Sequence, residues 1–235
     1  MSDRFRILAR IATRLSILAL LCWGGWWLLM DARSPLPAGW NPLIPLDVTA
    51  APGPLTGLQL RRALSSDERC DAALRTGAQF EPMTPLDGGA QCGIDPRLAL
   101  TAVGSSAIAP VETTCSTALR LTMWERHALQ PAAAAHLGQA VARLHHQGSY
   151  NCRAIRGGTR MSLHATAEAI DIRAVTLVDG RRLELAQGWT GPDATFWHAA
   201  RDGACRWFAT TLGPDYNAAH ADHFHLQARG WGLCR

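Results

Sequence analysis

The cysteines of this 235-residue sequence form no C-x-x-C pair, and the chain has neither an internal repeat nor a basic stretch interleaved with aromatic residues. The first absence argues against a zinc site built from thiolates. The last makes nucleic acid a poor partner, because the formal net charge is only +4 and four arginines lie within the first 14 residues. The rest of the chain is therefore close to neutral.

A membrane anchor is predicted at the N-terminus. An apolar run of 16 residues, Leu15 to Met30, follows the four arginines and ends before Asp31. The run is shorter than the ~20 residues usually needed to span a bilayer, but residues 11–13 and the tryptophans at positions 23, 26 and 27 can extend it into the interface. The positive-inside rule places the arginines in the cytoplasm and the following chain outside. A cleaved signal peptide is the competing interpretation; the absence of a small-x-small site after the run favours an uncleaved anchor.

Composition divides the chain into a basic tail with its anchor (1–33), a linker containing six prolines (34–54), and one domain (55–235). Six cysteines lie beyond the anchor, and an even number in an extracytoplasmic domain favours disulfides. The sequence does not select among the 15 pairings that six cysteines allow; our prediction is Cys70–Cys92, Cys115–Cys152 and Cys205–Cys234. For a bacterial source, an oxidising compartment outside the cytoplasmic membrane is the periplasm of a Gram-negative cell.

Helical and strand patterns alternate through the domain. Helices are predicted over residues 66–77, 115–127, 131–148 and 194–212, the third from an apolar stripe of Leu137, Val141 and Leu144. Strands are predicted over residues 98–103, 149–155, 169–178, 181–185 and 224–228, with Asp179-Gly180 as a hairpin turn. Residues 55–63 fit either a strand or a short helix. These elements predict an α+β fold in which helices pack on a small antiparallel sheet.

The densest chemistry lies in two strings, Ser-Leu-His164-Ala-Thr-Ala-Glu-Ala-Ile-Asp171 and His220-Ala-Asp222-His223-Phe-His225. Asp171 and His225 fall in predicted strands, and they meet if these strands are neighbours. With His164 they supply two imidazoles and a carboxylate, a ligand set typical of Zn²⁺ that leaves a fourth position open for water. An open position distinguishes a catalytic zinc from a structural one. The strings therefore predict metal-assisted hydrolysis.

The remaining polar residues are assigned around this metal. Asp222 is the candidate base that takes a proton from water and passes it to the leaving amine; its alternative role is to orient a ligand imidazole. His223 is predicted to donate a hydrogen bond to the substrate or intermediate. The candidate group that stabilises an oxyanion is Arg153, with Arg156 and Arg160 as rivals.

The stretch from Cys92 to Arg235 resembles the bacterial extensin-like C-terminal domain family, which is similar to the D-alanyl-D-alanine carboxypeptidase group of zinc peptidases. The matching strings are Ser-Tyr150-Asn-Cys152-Arg153, Ser162-Leu-His164 through Asp171-Ile172, Leu212-Gly-Pro-Asp-Tyr216-Asn217, His220 through His225, and Cys234-Arg235. The resemblance implies a Hedgehog/D-Ala-D-Ala peptidase-like fold and the same zinc ligands. It also implies that Asp222 is the base, that Arg153 steadies the substrate carbonyl, and that peptidoglycan peptides containing D-alanine are the substrate.

The sequence departs from the family pattern at one position of the metal loop. The family usually has glycine three residues after the first histidine, where this chain has Ala167. If this site needs a positive φ, alanine costs about 1 kcal/mol and reshapes the loop without removing a ligand. Glu168 beside it is interpreted as a surface residue, and His220 as a loop residue.

The sequence thus predicts a zinc metallopeptidase anchored in the inner membrane by residues 15–30, with its C-terminal domain in the periplasm, hydrolysing peptidoglycan peptides. An alternative is a non-catalytic zinc-containing module that binds cell-wall peptides or an envelope partner. A third is a disulfide scaffold without zinc. The presence of both Arg153 and Asp222 favours catalysis, because a purely structural zinc needs neither.

Overall fold

The computed structural model of the chain describes residues 3–31, 33–89, 91–155 and 157–235. Contacts divide the chain into two compact units, residues 1–45 with 50–60 and residues 46–49 with 61–235. The first unit contains helix α1 (Asp3–Met30), a 3₁₀ turn (Ala38–Trp40) and most of helix α2 (Thr56–Ala63). Over Arg6–Met30, α1 is long and apolar enough to cross a membrane, and no part of its most apolar window is buried.

The second unit is built on one large sheet. Its strands, with the separate two-stranded pair β2–β3, are β1 (Ala78–Met83), β2 (Leu86–Asp87), β3 (Gly93–Ile94), β4 (Arg97–Val103), β5 (Ser106–Thr113), β6 (Val141–Gly148), β7 (Ala169–Leu177), β8 (Arg182–Glu184), β9 (Thr210–Leu212) and β10 (Phe224–Gln227). In the described residues, eight strands join in the order β1-β4-β5-β6-β7-β10-β9, and β8 also pairs with β7. The β5–β6 pair is parallel and the other pairs are antiparallel.

The helices of this unit are α3 (Asp67–Leu74), α4 (Cys115–Trp124), α5 (Gln130–Leu137), α6 (Leu185–Gly188) and α7 (Ala194–Trp207). A π-helical turn, Glu125–Leu129, connects α4 to α5. Ser66 caps α3 as predicted, its side chain accepting a hydrogen bond from the Arg69 N–H.

Helices cover one face of the sheet. Ile172 of β7 and Phe224 of β10 are directly opposite each other and fully buried. Trp197 of α7 packs edge-on against Phe224, with ring centroids 5.8 Å apart. Because side chains alternate along a strand, Asp171 and His225 point to the other face of the sheet.

The predicted helix over residues 131–148 is wrong beyond Leu137. Gly138 adopts a left-handed conformation (φ 62°) that ends α5, and the chain continues as β6. The pairing of β6 with β7 shifts register between Val141 and Arg143. This irregularity lets Val141 and Leu144 both be buried at a spacing of three, so a bulged strand imitates a helical stripe.

Two further predictions of local structure are wrong. Residues 149–155 form no strand but a loop, which meets the returning chain at one bridge, Ala154 to Met161. The last long helix ends at Trp207, and Thr210–Leu212 forms an edge strand on β10. The strand predicted over residues 98–103 is confirmed in β4. The predicted hairpin partners are confirmed in β7 and β8, and the final strand in β10.

The mixed α+β class with a mostly antiparallel sheet is confirmed, although the sheet is larger than the small one predicted. The extra strands include β1 and β5, which contain Pro82 and Pro110. Proline removes a ladder donor and argues against a strand, so both elements escape prediction.

The predicted disulfide pairing is correct at Cys205–Cys234 and wrong elsewhere. The structure joins Cys70 to Cys115 and Cys92 to Cys152. Cys70 is on α3, and Cys115 is the first residue of α4, which packs against α3. Tertiary packing therefore decides the partner, and nearness in sequence does not.

Candidate metal centre

Three elements bring the predicted metal ligands together. His164 lies in a 3₁₀ turn, Leu163–Thr166, whose N-terminus is capped by the Ser162 hydroxyl. Asp171 and His225 are register partners on the adjacent strands β7 and β10, so both side chains leave the same face of the sheet. The strands supply two donors and the turn supplies the third.

The donor atoms of these three residues converge. His164 Nε2 lies 3.1 Å from Asp171 Oδ2 and 3.1 Å from His225 Nδ1, and His225 Nδ1 lies 2.7 Å from Asp171 Oδ1. All three residues are buried. A tetrahedral zinc with bonds of about 2.0–2.1 Å spaces its ligand atoms about 3.3 Å apart. The set therefore fits this ion with a slight outward movement of the donors.

Hydrogen bonds and burial prepare these donors for a cation. The His164 Nδ1–H donates to the Ser149 carbonyl at 2.8 Å, so the other ring nitrogen, Nε2, is the one directed at Asp171 and His225. Burial acts to raise the pKa of Asp171, but hydrogen bonds from His164 and His225 outweigh burial and hold that pKa well below its usual value. The carboxylate is thus charged and directed at both imidazoles.

Ala167 occupies the position where the family usually has glycine, and the structure shows why glycine suits it. Its φ is +52°, the one positive value at a non-glycine position among the described residues, and the residue is fully buried. Its carbonyl accepts hydrogen bonds from hydroxyl groups of Thr113, Thr117 and Ser149 at 2.9–3.2 Å. These bonds fix the turn that carries His164 despite the strained backbone.

Asp222 and His223 form a pair next to the three donors. His223 Nδ1 lies 2.8 Å from Asp222 Oδ1, and His223 Nε2 lies 3.7 Å from Asp171 Oδ1. Asp222 Oδ2 also accepts from the Gln147 amide at 3.3 Å. The hydrogen bond from His223 lowers the pKa of Asp222. His223 therefore stands between Asp222 and the cluster of donors.

His220 belongs to this region, although its sequence position suggested a loop residue. It lies in a 3₁₀ turn, Ala218–His220, and its ring centroid is 5.3 Å from that of His223 and 5.6 Å from that of His225. Burial and the neighbouring imidazoles lower the pKa of His220 to about 4. The signal for its role is the His-x-x-His-x-His spacing, in which the first histidine could have been grouped with the other two.

Two of the three candidate arginines, Arg153 and Arg160, lie on the loop before the metal turn. Arg153 is exposed on the loop before the metal turn, close enough to His220 to lower the pKa of that imidazole. Its carbonyl accepts from the Ser162 N–H at 3.1 Å, which ties this loop to the start of the turn. Arg160 is exposed on the same hairpin-like loop, and Arg156 lies outside the described residues. Glu168 bonds Thr166 and Arg229 and takes no part in the donor set.

A cavity of about 280 Å³ lies beside the pair of Asp222 and His223. It is lined by Arg173, Glu184, Ala186, Gln187 and Asp222. Arg173 is two residues after Asp171 on β7, so its side chain leaves the same face of the sheet. The cavity therefore lies on the face of the sheet to which Asp171 points, a feature that sequence patterns did not indicate.

Comparison with known proteins identifies a family for this chain. No curated protein and no solved structure matches it. The family described as Extensin-like protein C-terminus matches residues 68–235, which contain the whole donor cluster. The chain therefore belongs to the Extensin-like protein C-terminus family.

Proposed function

We propose that this protein is a membrane-anchored zinc metallopeptidase that hydrolyses peptide bonds of peptidoglycan in the periplasm, in particular bonds that involve D-alanine. The observation that carries the proposal is the convergence of His164, Asp171 and His225 at donor distances of 2.7–3.1 Å. Two imidazoles and a carboxylate are a donor set that is typical of a hydrolytic zinc. The similarity to D-Ala-D-Ala peptidases that the sequence motifs suggested is part of what we propose.

His164, Asp171 and His225 would hold the divalent ion, which would supply Lewis acidity and a water molecule of lowered pKa. The chain's own residues hold the ion and orient the side chains that bind it. Asp171 contributes the one negative charge of the donor set, and Ser149 keeps the His164 ring in the tautomer that presents Nε2.

Asp222 and His223 act together in proton transfer. His223 Nε2 faces the donor set, so this atom accepts the proton of the attacking water, and Asp222 stabilises the resulting imidazolium through the 2.8 Å contact at Nδ1. The predicted base is thus placed one ring away from the reacting atoms. His223 Nε2 then gives this proton to the leaving amine, and Asp222 acts as the positioning residue that holds the His223 ring.

The substrate lies along the open face of the sheet between two positive side chains. Arg153 on its loop flanks the side of His220, and Arg173 flanks the cavity near Asp222. A carbonyl bound over the donor set meets Arg153 where negative charge develops. The exposed positions of both arginines suit an extended peptide.

A non-catalytic zinc module that binds cell-wall peptides is the second candidate. It is favoured by the contacts of Asp222, which is 59% exposed and hydrogen-bonded to His223 and Gln147 rather than directed at the donors. In this function Arg153, Arg173 and the cavity bind peptides, and the metal fixes the conformation of the turn that contains His164.

The test uses the full chain in detergent, incubated with purified muropeptides with and without a chelator, with products weighed by mass spectrometry. We expect chelator-sensitive cleavage. Asp171→Ala should lose both metal and turnover. Asp222→Ala should keep its metal and lose at least about 100-fold in turnover, the lower range for a general acid–base group.

Asp202→Ala is the matched control, because Asp202 is an exposed carboxylate on α7. It should keep both metal and activity. Metal binding and peptide binding without any cleavage would replace the peptidase by the binding module. Loss of metal in Asp222→Ala would show that ligand and base are misassigned.

A further inference from the structure

The two histidines of the donor set are held by different kinds of hydrogen-bond partner. The Nδ1–H of His164 donates to the backbone carbonyl of Ser149 at 2.8 Å. A carbonyl only accepts, so it keeps this proton on Nδ1 with or without a bound ion. The partner of His225 is the side-chain amide of Gln227, which has both a donor nitrogen and an acceptor oxygen. The amide can therefore change its role when an ion binds, whereas the carbonyl cannot.

Gln227 contacts His225 from the same strand. It follows His225 by two residues on β10, so both side chains leave the same face of the sheet. Gln227 Nε2 lies 2.8 Å from His225 Nε2. An amide nitrogen donates and does not accept, so in this contact His225 Nε2 is the acceptor and carries no proton. The proton of the neutral ring is then on Nδ1, which lies 2.7 Å from Asp171 Oδ1.

This arrangement of His225 opposes metal binding. Its Nδ1 is the atom that faces His164 and Asp171, and a ring nitrogen that carries a proton has no lone pair for an ion. Binding at Nδ1 therefore requires the other tautomer of the ring, with the proton on Nε2. In that tautomer the Gln227 nitrogen and the Nε2–H would both be donors, and the contact between them would be unfavourable.

We propose that Gln227 is a positioning residue of the metal site, and that its side-chain amide turns over when an ion binds at His225. Half a turn about the last side-chain bond exchanges nitrogen and oxygen, so that Oε1 accepts from the His225 Nε2–H. The ring keeps one proton: the Nδ1–H bond breaks as Nδ1 binds the ion, and an Nε2–H bond forms by exchange with water. Metal-bound histidines typically donate their second N–H to an oxygen atom. The inference rests on the proposed zinc at His164, Asp171 and His225, and it does not require that a peptide bond is cleaved.

The surroundings of Gln227 allow this rotation. Within the part of the chain that the structure describes, its amide group makes no hydrogen bond other than the one to His225. The residue is half-buried, so water can solvate the amide atom that points away from His225. Its backbone is fixed separately, because its carbonyl accepts from the Ala209 N–H at 3.0 Å and its register partners are Ala169 and Thr210. The amide therefore turns without disturbing β10.

The direct test is the tautomer of His225, measured by ¹⁵N NMR of the full chain in detergent with labelled histidine. Protonated and unprotonated ring nitrogens differ widely in chemical shift, and the metal-free His225→Asn variant identifies the resonances. In mildly alkaline, metal-free buffer we expect the proton on Nδ1, and after addition of Zn²⁺ we expect it on Nε2. Gln227→Glu offers only acceptor atoms, so its His225 should carry the proton on Nε2 before zinc is added.

Zinc affinity gives a second readout. Gln227→Met keeps a side chain of nearly the same length without the amide, and it should bind zinc about 10–100-fold more weakly, the usual effect of losing the partner of a metal-bound histidine. Gln227→Glu should restore binding at least to the wild-type affinity. Gln79→Met is the matched control, because Gln79 is exposed on β1 at the opposite end of the strand order from β9. It should leave the affinity unchanged.

Two results would overturn the role of Gln227. One is a metal-free wild-type chain in which His225 already carries its proton on Nε2, and the other is a Gln227→Met variant with wild-type zinc affinity. Both are distinct from failure of the proposed peptidase. The expected tautomer change and affinities without any peptide cleavage would refute only the peptidase, whereas cleavage together with unchanged affinity in Gln227→Met would refute only this inference.

Discussion

Ala167 combines a backbone conformation that opposes its side chain with a position that holds the metal turn in place. Its φ of +52° is unfavourable for any residue with a Cβ atom, and its carbonyl is held by several buried hydroxyl groups. Hydrogen bonds from these buried hydroxyl groups offset the strain. The loop geometry that presents His164 thus depends on neighbours from β5, α4 and the β6 end.

Replacing Ala167 by glycine tests this balance. Ala167→Gly relieves the strain but removes a buried methyl group and adds freedom to the unfolded chain, so we expect the free energy of unfolding to change by less than about 0.5 kcal/mol. Ala165→Gly, at an equally buried position of the same turn without a positive φ, should destabilise by about 1–2 kcal/mol. Urea unfolding midpoints at unchanged m-value measure both. Equal losses in the free energy of unfolding in the two variants would show that the backbone at Ala167 is not strained.

At the scale of elements, the metal face is assembled by loops fixed to a rigid sheet. The register of β7 with β10 places Asp171 opposite His225, and shifting either strand by one residue would turn one of these side chains to the helical face. The loop with Arg153 has no ladder of its own. The Cys92–Cys152 disulfide attaches it to the segment that contains β3.

Removing the Cys92–Cys152 disulfide should loosen the loop that contains Arg153 more than it loosens the sheet. Cys92→Ser/Cys152→Ser opens a link across 60 residues, and we expect a loss of about 3–4 kcal/mol in the free energy of unfolding. Proteolysis should then cut first within residues 150–162. Cys70→Ser/Cys115→Ser, which opens a link across 45 residues between α3 and α4, is the matched control. It should lower stability by a similar amount without exposing this loop.

At the scale of the whole molecule, the chain combines a helix suited to a bilayer with a sheet domain stabilised by three disulfides. The side chains of α1 from Arg6 to Met30 are largely exposed, including Leu18, Leu21 and Trp23. An apolar helix of this length in water is unfavourable, and a bilayer removes that cost. Disulfides of this kind form and persist in oxidising environments.

Introducing charged residues into α1 tests whether this helix anchors the protein in a membrane. Leu18→Arg/Leu21→Arg places two arginines near its centre, each opposing insertion by about 2.5–3.5 kcal/mol. The wild-type chain should stay in the membrane fraction after alkaline extraction, and the variant should not. Val178→Arg/Leu233→Arg charges two exposed apolar residues outside α1 and should stay with the membrane. A mature wild-type chain whose mass lacks residues 1–30 would instead indicate a cleaved signal.

The sequence by itself determined the features that depend on neighbours in the chain. The apolar run of α1, the cap at Ser66, the Asp179-Gly180 hairpin and the alternating pattern of β7 and β10 are local, because propensity and periodicity act over a few residues. The spacing of the candidate metal ligands could be recognised in the sequence for the same reason. It needs only a histidine and a carboxylate near one strand and a histidine on another.

Tertiary structure alone decided the features that depend on distant partners. The bulge in β6 lets Val141 and Leu144 be buried together on a strand, and the packing of α3 on α4 selects Cys115 as the partner of Cys70. The His220 ring lies 5.6 Å from that of His225 on β10, and no local pattern encodes that approach. Such contacts arise from the burial of apolar surface across the whole sheet, a cooperative effect in which each residue's place is determined by elements far away in the chain.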